Sequence, residues 1–257
     1  MNFLKAYAKT LPVIPRLYRG LRDLLLQVRR ARADRRLRRK NTEQVFTEIY
    51  RRHGWGGQES VSGPGSDLGQ TRVVLRELRP LLDELRVGSM LDIPCGDFHW
   101  MQRVDLNGID YIGADIVAPL IRDNRERYGR DGVRFQQLDL VKDGLPDVNL
   151  VLCRDCLIHL SFADIFRALD NLSRGDSEYL LTTTFPARTE NRDIVTGRDR
   201  PLNLERPPFA FPKPLRLIIE GCTEGNGAYA DKALGLWRID DIRSRRNQRT
   251  PDRGNCD

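Results

Sequence analysis

The stretch Ser89-Met-Leu-Asp-Ile-Pro-Cys-Gly-Asp-Phe-His-Trp100 decides the fold. Met90 to Ile93 is an apolar run broken only by a carboxylate, the pattern of a buried strand. Gly96 then offers a tight turn, and the run beyond it is predicted to be a helix. Further on, Tyr111-Ile-Gly-Ala-Asp-Ile116 supplies a second apolar strand, again ending on a carboxylate, Asp115. In an open α/β sheet, ligands bind beyond the carboxyl ends of the strands at the topological switch point. A carboxylate at the tip of the second strand is therefore placed to accept hydrogen bonds from ribose hydroxyls. The pair points to a ligand that contains a nucleoside.

Missing glycines narrow the choice of ligand. A dinucleotide site uses G-x-G-x-x-G, because backbone amides must approach a pyrophosphate and a helix start must face it. Here the run is Asp92-x-Pro94-x-Gly96-x-Phe98, with one glycine left, and Pro94 offers no amide donor. No G-x-x-x-x-G-K-[ST] phosphate loop occurs. S-adenosylmethionine carries no phosphate; it needs a close turn, carboxylates for its ribose and amine, and a slot for adenine. The run resembles the first motif of class I S-adenosylmethionine-dependent methyltransferases, and more closely a bacterial branch carrying D-x-P-C-G-D-F-x-W. Further segments belong to the resemblance, which covers most of residues 42 to 240: Phe46-Thr-Glu-Ile-Tyr50, Trp55-Gly56, Glu59 to Ser66, Cys153-Arg-Asp-Cys-Leu-Ile-His-Leu160, Pro201-Leu-Asn-Leu204, Pro207-Pro-Phe209 and Gly235-Leu-Trp237.

The resemblance implies an α/β, Rossmann-like, seven-stranded and mostly parallel sheet with helices on both faces and the last strand antiparallel. It implies S-adenosylmethionine as cofactor and gives the residues roles. Asp92 orients the turn and accepts from the cofactor's amino group, and Gly96, flanked by Cys95 and Phe98, permits close backbone approach. Asp115, followed by Ile116, holds the ribose; Asp139 meets the adenine amino group with Leu140 beside the ring. Cys153 and Arg154 lie where the fourth strand opens toward the sulfonium. Trp55, Ser60, Ser62 and Gly63 form a lid over the methionine end. For a hydroxyl acceptor a general base is needed, and His159, a few residues past the fourth strand, is the leading candidate. Asp155 is the second, as base or as the residue that orients His159. No metal-ligand cluster is apparent, so metal-independent chemistry is expected.

Local patterning agrees with this architecture. Asp67 to Arg86 has an apolar stripe at helical spacing, Ala118 to Tyr128 suits a helix, and Ser161 caps a third helix to Asn171. Strands are predicted at Val133–Leu140, Val148–Cys153, Tyr179–Phe185, Leu215–Glu220 and Leu234–Ile239. Alternation of this kind gives a largely parallel sheet. Residues 186 to 214 break the rhythm and read as a substrate-side insertion. The catalytic domain is thus expected over 41–242, followed by a polar, disordered tail over 243–257.

Charge is unevenly placed. Residues 1 to 40 carry 13 Lys or Arg against two Asp, so in a chain of net charge +7 the remainder sums to −4. Within this tail, Leu17, Leu21, Leu24, Leu25 and Val28 recur at three- and four-residue steps among arginines. A basic amphipathic helix suggests attachment to an anionic membrane surface; nucleic-acid contact, packing onto the body and a solvated helix are the competing readings. Five cysteines without a framework argue for a reducing compartment, and Cys153 and Cys156 read as buried structural thiols. No apolar run approaches the ~20 residues of a membrane span. A cytoplasmic protein, peripheral to the inner face of the membrane, is the expectation.

For the acceptor, the polar insertion and the basic tail favour a hydroxyl of a sugar or surface-glycan precursor. A nucleic-acid or protein methyltransferase is the alternative within enzymes, and the acidic body argues against a nucleic-acid groove. A non-catalytic, cofactor-binding adaptor at a membrane complex is the alternative outside them. The oligomeric state is not legible.

Overall fold

The computed structural model describes the backbone of residues 13–247 and the side chains of 21–246. Residues 1–12 of the basic tail and 248–257 of the expected C-terminal tail lie outside the described residues, as do the side chain of Leu17 and the flanking ones up to residue 20. Contacts divide the chain into two units between Asn41 and Thr42.

The first unit contains helix α1 (Val13–Leu37), with no acidic residue in its first turn and Arg35 and Arg36 in its last. Leu21, Leu24, Leu25, Leu26 and Val28 are all exposed. The first three and Val28 share one arc of the helix, and Leu26 falls outside it.

The second unit is a seven-stranded sheet in the order β3-β2-β1-β4-β5-β7-β6. Its strands are β1 (Ser89–Asp92), β2 (Asp110–Asp115), β3 (Val133–Gln137), β4 (Leu150–Cys153), β5 (Tyr179–Thr184), β6 (Arg216–Ile219) and β7 (Ala233–Arg238). β1 to β5 run parallel, and β7 lies antiparallel between β5 and β6. The helices are α2 (Thr42–Arg51), α3 (Leu68–Glu84), α4 (Ala118–Tyr128), α5 (Phe162–Leu172) and α6 (Ile239–Asn247). α6 runs past residue 242, where the polar tail was expected to begin, because its Ile239 and Ile242 are buried in the core.

The central strands are buried on both faces, and period-2 alternation sends their side chains to two separate cores. Along β4, Leu150 and Leu152 enter one core while Val151 and Cys153 enter the other. α3 closes the first core with Val74, Leu78, Leu81 and Leu82 at helical spacing. α5 closes the second with Ile165, Ala168, Leu169 and Leu172. Ser161 caps α5 as expected, its side chain accepting from the Asp164 amide.

The helix predicted after the first motif does not form. A single 3-10 turn (Met101–Arg103) replaces it. Phe98 adopts a left-handed backbone (φ 58°), which ends any helical register at once. Trp100, Met101, Val104 and Leu106 instead drop individually into the first core.

The direction in which strands are added reverses between β1 and β4: β2 and β3 build outward on one side, then the chain crosses to β4 on the other. That is the switch point, and it places the carboxyl ends of β1 and β4 around a crevice.

Candidate active site

A cavity opens at the switch point, and Asp92, Asp115, Asp139 and Asp155, from the ends of β1 and β2 and the loops after β3 and β4, all line it. The space between these side chains is about 1110 Å³, the open solvent at its mouth included. Of the residues expected to bind cofactor, Asp92, Cys95, Gly96, Asp115, Ile116, Asp139, Leu140, Arg154, Trp55 and Ser62 face it, as do both candidates for catalysis, His159 and Asp155.

Two expected residues do not face it. Phe98 is fully buried, ringed by Tyr111, Tyr128 and Phe135 at centroid distances of 5.1–5.3 Å. The left-handed backbone at Phe98 sends its ring under the sheet, where burying it stabilises by about 1.5–3 kcal/mol. Cys153 lies in the second core, since strand alternation points it away from the crevice; Cys156, on the loop beyond, lines the cavity instead.

Asp115 is fixed by the backbone: one oxygen accepts from the Val117 amide at 3.0 Å and the other from the Gly96 amide at 3.3 Å. Burial nevertheless pushes its pKa up to about 6, against the opposing pull of those amides. Asp92 accepts from the Tyr111 hydroxyl at 2.7 Å. Burial raises its pKa to about 7, outweighing that bond, and nearby Asp115 adds to the rise. Asp139 accepts from the Val141 amide at 2.9 Å. Between Asp115 and Asp139, Ile116, Val117, Leu120, Leu138 and Leu140 give the cavity an apolar wall.

Over the other end lies a strap, residues 59–66. Asp97 accepts from the Ser60 hydroxyl and the Val61 amide, each at 2.9 Å, and Arg154 donates to the Gly65 carbonyl at 2.8 Å. Gly96, at φ 55°, is pressed against this strap: a Cβ there would lie 2.2 Å from Ser62 Oγ. Trp55 stacks on Phe46 at 6.3 Å and tilts toward His159 at 6.4 Å.

Beneath the strap runs a buried charge network. Arg154 pairs with Glu220 at 2.6 Å and with Asp155 at 3.3 Å. Lys232 pairs with Asp155 at 2.6 Å and with Glu220 at 3.6 Å. Burial opposes the Asp155 charge, but Lys232 and Arg154 outweigh it and hold the carboxyl well below its usual range. For Arg154, burial pulls downward, while Glu220 and Asp155 more than compensate and raise the guanidinium further. Asp155 also sits at φ 54°, a conformation that costs ~1–3 kcal/mol for a non-glycine residue. Thr183 supports it there, accepting from its amide at 2.8 Å and donating to its carboxylate at 3.2 Å. An ionised carboxylate so engaged is a poor proton acceptor.

Asp155 does not orient His159. The His159 Nδ1 lies 3.0 Å from the Arg198 carbonyl oxygen instead. Burial lowers the His159 pKa, and this outweighs the Arg198 carbonyl and the Asp155 and Asp199 charges, so the ring is neutral at pH 7. Sequence reasoning assigned no role to Arg198, nor to Asp97 and Lys232 although these two lie in segments of the resemblance: each acts through a contact distant along the chain. Among the described residues no three His, Cys, Asp or Glu side chains gather as a metal site.

The sequence matches no protein-family model and no curated protein. Several solved structures resemble the fold. Human N-acetylserotonin methyltransferase in complex with S-adenosylmethionine aligns at 14% identity over 77% of this chain and 60% of that one, with a TM-score of 0.50. TnmH aligns at 14% identity over 66% and 55%, with a TM-score of 0.49. Magnesium protoporphyrin IX methyltransferase from Synechocystis PCC 6803 with bound S-adenosylhomocysteine aligns at 18% over 47% and 57%, at 0.38. This chain spans less than two thirds of the length of each of the three. At these identities the likeness is one of fold, and the first structure carries it: the chain has the seven-stranded, Rossmann-like methyltransferase fold.

Proposed function

We propose that this protein is an S-adenosylmethionine-dependent methyltransferase acting on a hydroxyl, with a sugar or surface-glycan precursor as the acceptor class. The observation that carries the reading is Asp115 at the tip of β2, its two oxygens oriented by the Val117 and Gly96 amides and facing the switch-point cavity.

The residues present suit this cofactor. Asp115 would hold the ribose hydroxyls, Asp139 and the apolar wall beside Leu138 and Leu140 would take adenine, and Asp92 would face the amino group. The turn offers no phosphate cradle, and Pro94 removes one of its amides. When bound, S-adenosylmethionine supplies a methyl group already activated by its sulfonium. The protein's tasks are then to align the acceptor, exclude water and accept a proton. Alignment alone can lower the barrier by roughly 7–11 kcal/mol, and a positioned base adds ~10²–10⁴-fold. His159, neutral and lining the cavity, is the base; Asp155, held ionised by Lys232 and Arg154, is a polar support of the wall. Trp55, beside His159, offers a flat apolar surface for the C–H face of a sugar ring.

Calorimetric titration with S-adenosylmethionine and S-adenosylhomocysteine tests the reading. Micromolar binding to wild type that falls at least tenfold in Asp115→Ala supports it; absence of binding to wild type, with or without candidate acceptors, refutes it. Release of S-adenosylhomocysteine in the presence of nucleotide sugars or glycans then tests the acceptor class.

We also place residues 1 to 40 at an anionic membrane surface, with the body in the cytoplasm. Among the described residues no helix is long and apolar enough to cross a membrane. What supports surface attachment is the exposed arc of Leu21, Leu24, Leu25 and Val28 on a helix rich in arginine. Sedimentation of the full chain with vesicles of phosphatidylcholine, with and without phosphatidylserine, decides it. Equal or no sedimentation with the two compositions ends this proposal.

A further inference from the structure

We infer that residues 193–200 are the scaffold of the general base: the Arg198 carbonyl fixes His159 as its Nδ1–H tautomer, and Arg200 is the positioning residue that holds the turn carrying the ring. The use made of the base rests on the methyltransferase reading; the tautomer and its scaffold do not.

His159 ends a 3-10 turn, Leu157–His159. Within so short a turn only the Leu157 carbonyl has a local partner, the Leu160 amide at 3.2 Å, and the carbonyls that follow it have none. All four carbonyls from Leu157 to Leu160 accept from the segment 197–200. The Arg200 guanidinium donates to Leu157 at 2.8 Å and to Leu160 at 2.7 Å. The Arg200 amide donates to Ile158 at 3.2 Å, and the Gly197 amide to His159 at 2.9 Å. Just beyond, the Ser161 amide donates to Thr196 Oγ1 at 2.9 Å and the Phe162 amide to Asp193 at 2.7 Å. Thr196 itself donates to Asp164, in the first turn of α5. Arg200 is nearly buried and lies over the Phe162 ring at 5.6 Å, so its planar fork has little freedom to leave. This is a dense and specific brace on one short turn.

Its chemical consequence follows from the acceptor. A carbonyl oxygen can only accept, so the ring nitrogen 3.0 Å from the Arg198 carbonyl must carry the hydrogen. The ring is neutral, so Nε2 keeps a lone pair, on a side chain that lines the cavity. In the transfer, the hydroxyl proton of the acceptor passes to Nε2 as the oxygen lone pair forms the O–CH₃ bond. His159, as imidazolium, would then give its proton to solvent, the C–S bond pair having left with the sulfur of the cofactor that supplies the methyl group. The charges that act on the ring are those of Asp155, Asp199 and Arg200, and the Trp55 ring tilts toward it; at Nδ1 the partner is the Arg198 carbonyl.

The experiment is two-bond ¹H–¹⁵N correlation on the full chain labelled at histidine nitrogen, with His159→Gln to assign the signal among the three histidines. At neutral pH the expected pattern is a protonated Nδ1 and an unprotonated Nε2. Arg200→Lys keeps the charge but loses the fork, and moves both resonances toward the average of exchanging tautomers. Thr196→Val is the milder variant, expected to shift them in the same direction by less, and the wild-type spectrum stands alone if Arg200→Lys does not fold. A wild-type Nε2–H pattern overturns the tautomer, and a pattern unchanged in both variants overturns the scaffold. Neither result touches cofactor titration, whose failure in wild type would strike the methyltransferase reading while leaving the tautomer standing.

Discussion

The Tyr111 hydroxyl donates to Asp92 at 2.7 Å, at a position so buried that the carboxyl pKa rises to about 7. Burial is the cause, and the sign follows from it. A carboxyl whose folded pKa exceeds its unfolded value stabilises the fold when protonated, and that contribution is lost as pH rises through about 7. Between pH 5.5 and about 7 the native state holds a proton that the unfolded chain has released, a difference of about 1.4 kcal/mol per pH unit. Asp92→Asn keeps the acceptor for Tyr111 and removes the titration. Its stability relative to wild type should therefore be greater at pH 8 than at pH 5.5, by about 2 kcal/mol. Urea denaturation at the two pH values measures it, and an equal difference at both would place the Asp92 pKa outside this window.

The same shift sets the pH dependence of cofactor binding. A cationic ligand is held best when Asp92, and Asp115 with its pKa near 6, are ionised. Affinity for S-adenosylmethionine should therefore rise from pH 5.5 to 8 and level off above about 7. Asp92→Asn should bind weakly and with a flatter profile. Calorimetry across this range gives the curve, and affinity that falls with pH would contradict the assignment of either carboxylate to the cofactor.

Much of this arrangement was legible in the sequence because it depends on local pattern. Apolar runs ending in Asp92 and Asp115 marked strands whose tips meet at the switch point, and Ser161 announced its helix. What was hidden depends on tertiary contact. Phe98 and Cys153 share motif segments with residues that face the cavity, yet a left-handed backbone turns one into the aromatic core and strand alternation turns the other into the second core. The insertion over 186–214 has no apolar periodicity, but it buries Leu202, Leu204, Phe209 and Phe211 one by one. Glu220, just after β6, and Lys232, just before β7, reach Arg154 and Asp155 only because β7 returns antiparallel beside β5. No spacing rule along the chain records such a meeting.

Removing one partner from that network should be expensive. Lys232→Met leaves Asp155 and Glu220 with Arg154 alone, and breaking a buried pair typically costs ~3–5 kcal/mol. Asp155→Asn combined with Lys232→Met removes both charges, so the double variant should lose less than the sum of the singles. A double-mutant cycle by chemical denaturation gives the coupling; additive losses would show that the 2.6 Å contact contributes nothing net.

Gly96 tests how tightly the strap presses on the first turn. A Cβ at this position meets Ser62 Oγ at 2.2 Å and Ser62 Cβ at 3.2 Å, with φ at 55°. Gly96→Ala must therefore adopt a left-handed backbone, at ~1–2 kcal/mol, and push the strap outward as well. Cofactor affinity should fall at least tenfold, with a smaller loss of thermal stability. Ser62→Ala on this background removes the nearer clash and should recover part of the affinity. Recovery of none would mean that backbone strain, and not the strap, is what the glycine relieves.

The strap itself hangs on Asp97. One carboxylate accepts the Ser60 hydroxyl and the Val61 amide at 2.9 Å each, and Ser60 in turn accepts from the Ser62 amide at 3.0 Å. Hydrogen bonds to a charged group contribute ~1.5–3 kcal/mol, so Asp97→Ala should free residues 59–63 locally while Arg154 still holds Gly65. Hydrogen exchange of the Val61 and Ser62 amides should accelerate by roughly 10–100-fold, with the strands of the sheet unchanged. If the strap covers bound cofactor, the dissociation rate of S-adenosylhomocysteine rises with it, whereas faster exchange with an unaltered dissociation rate would make the strap a structural edge and not a lid.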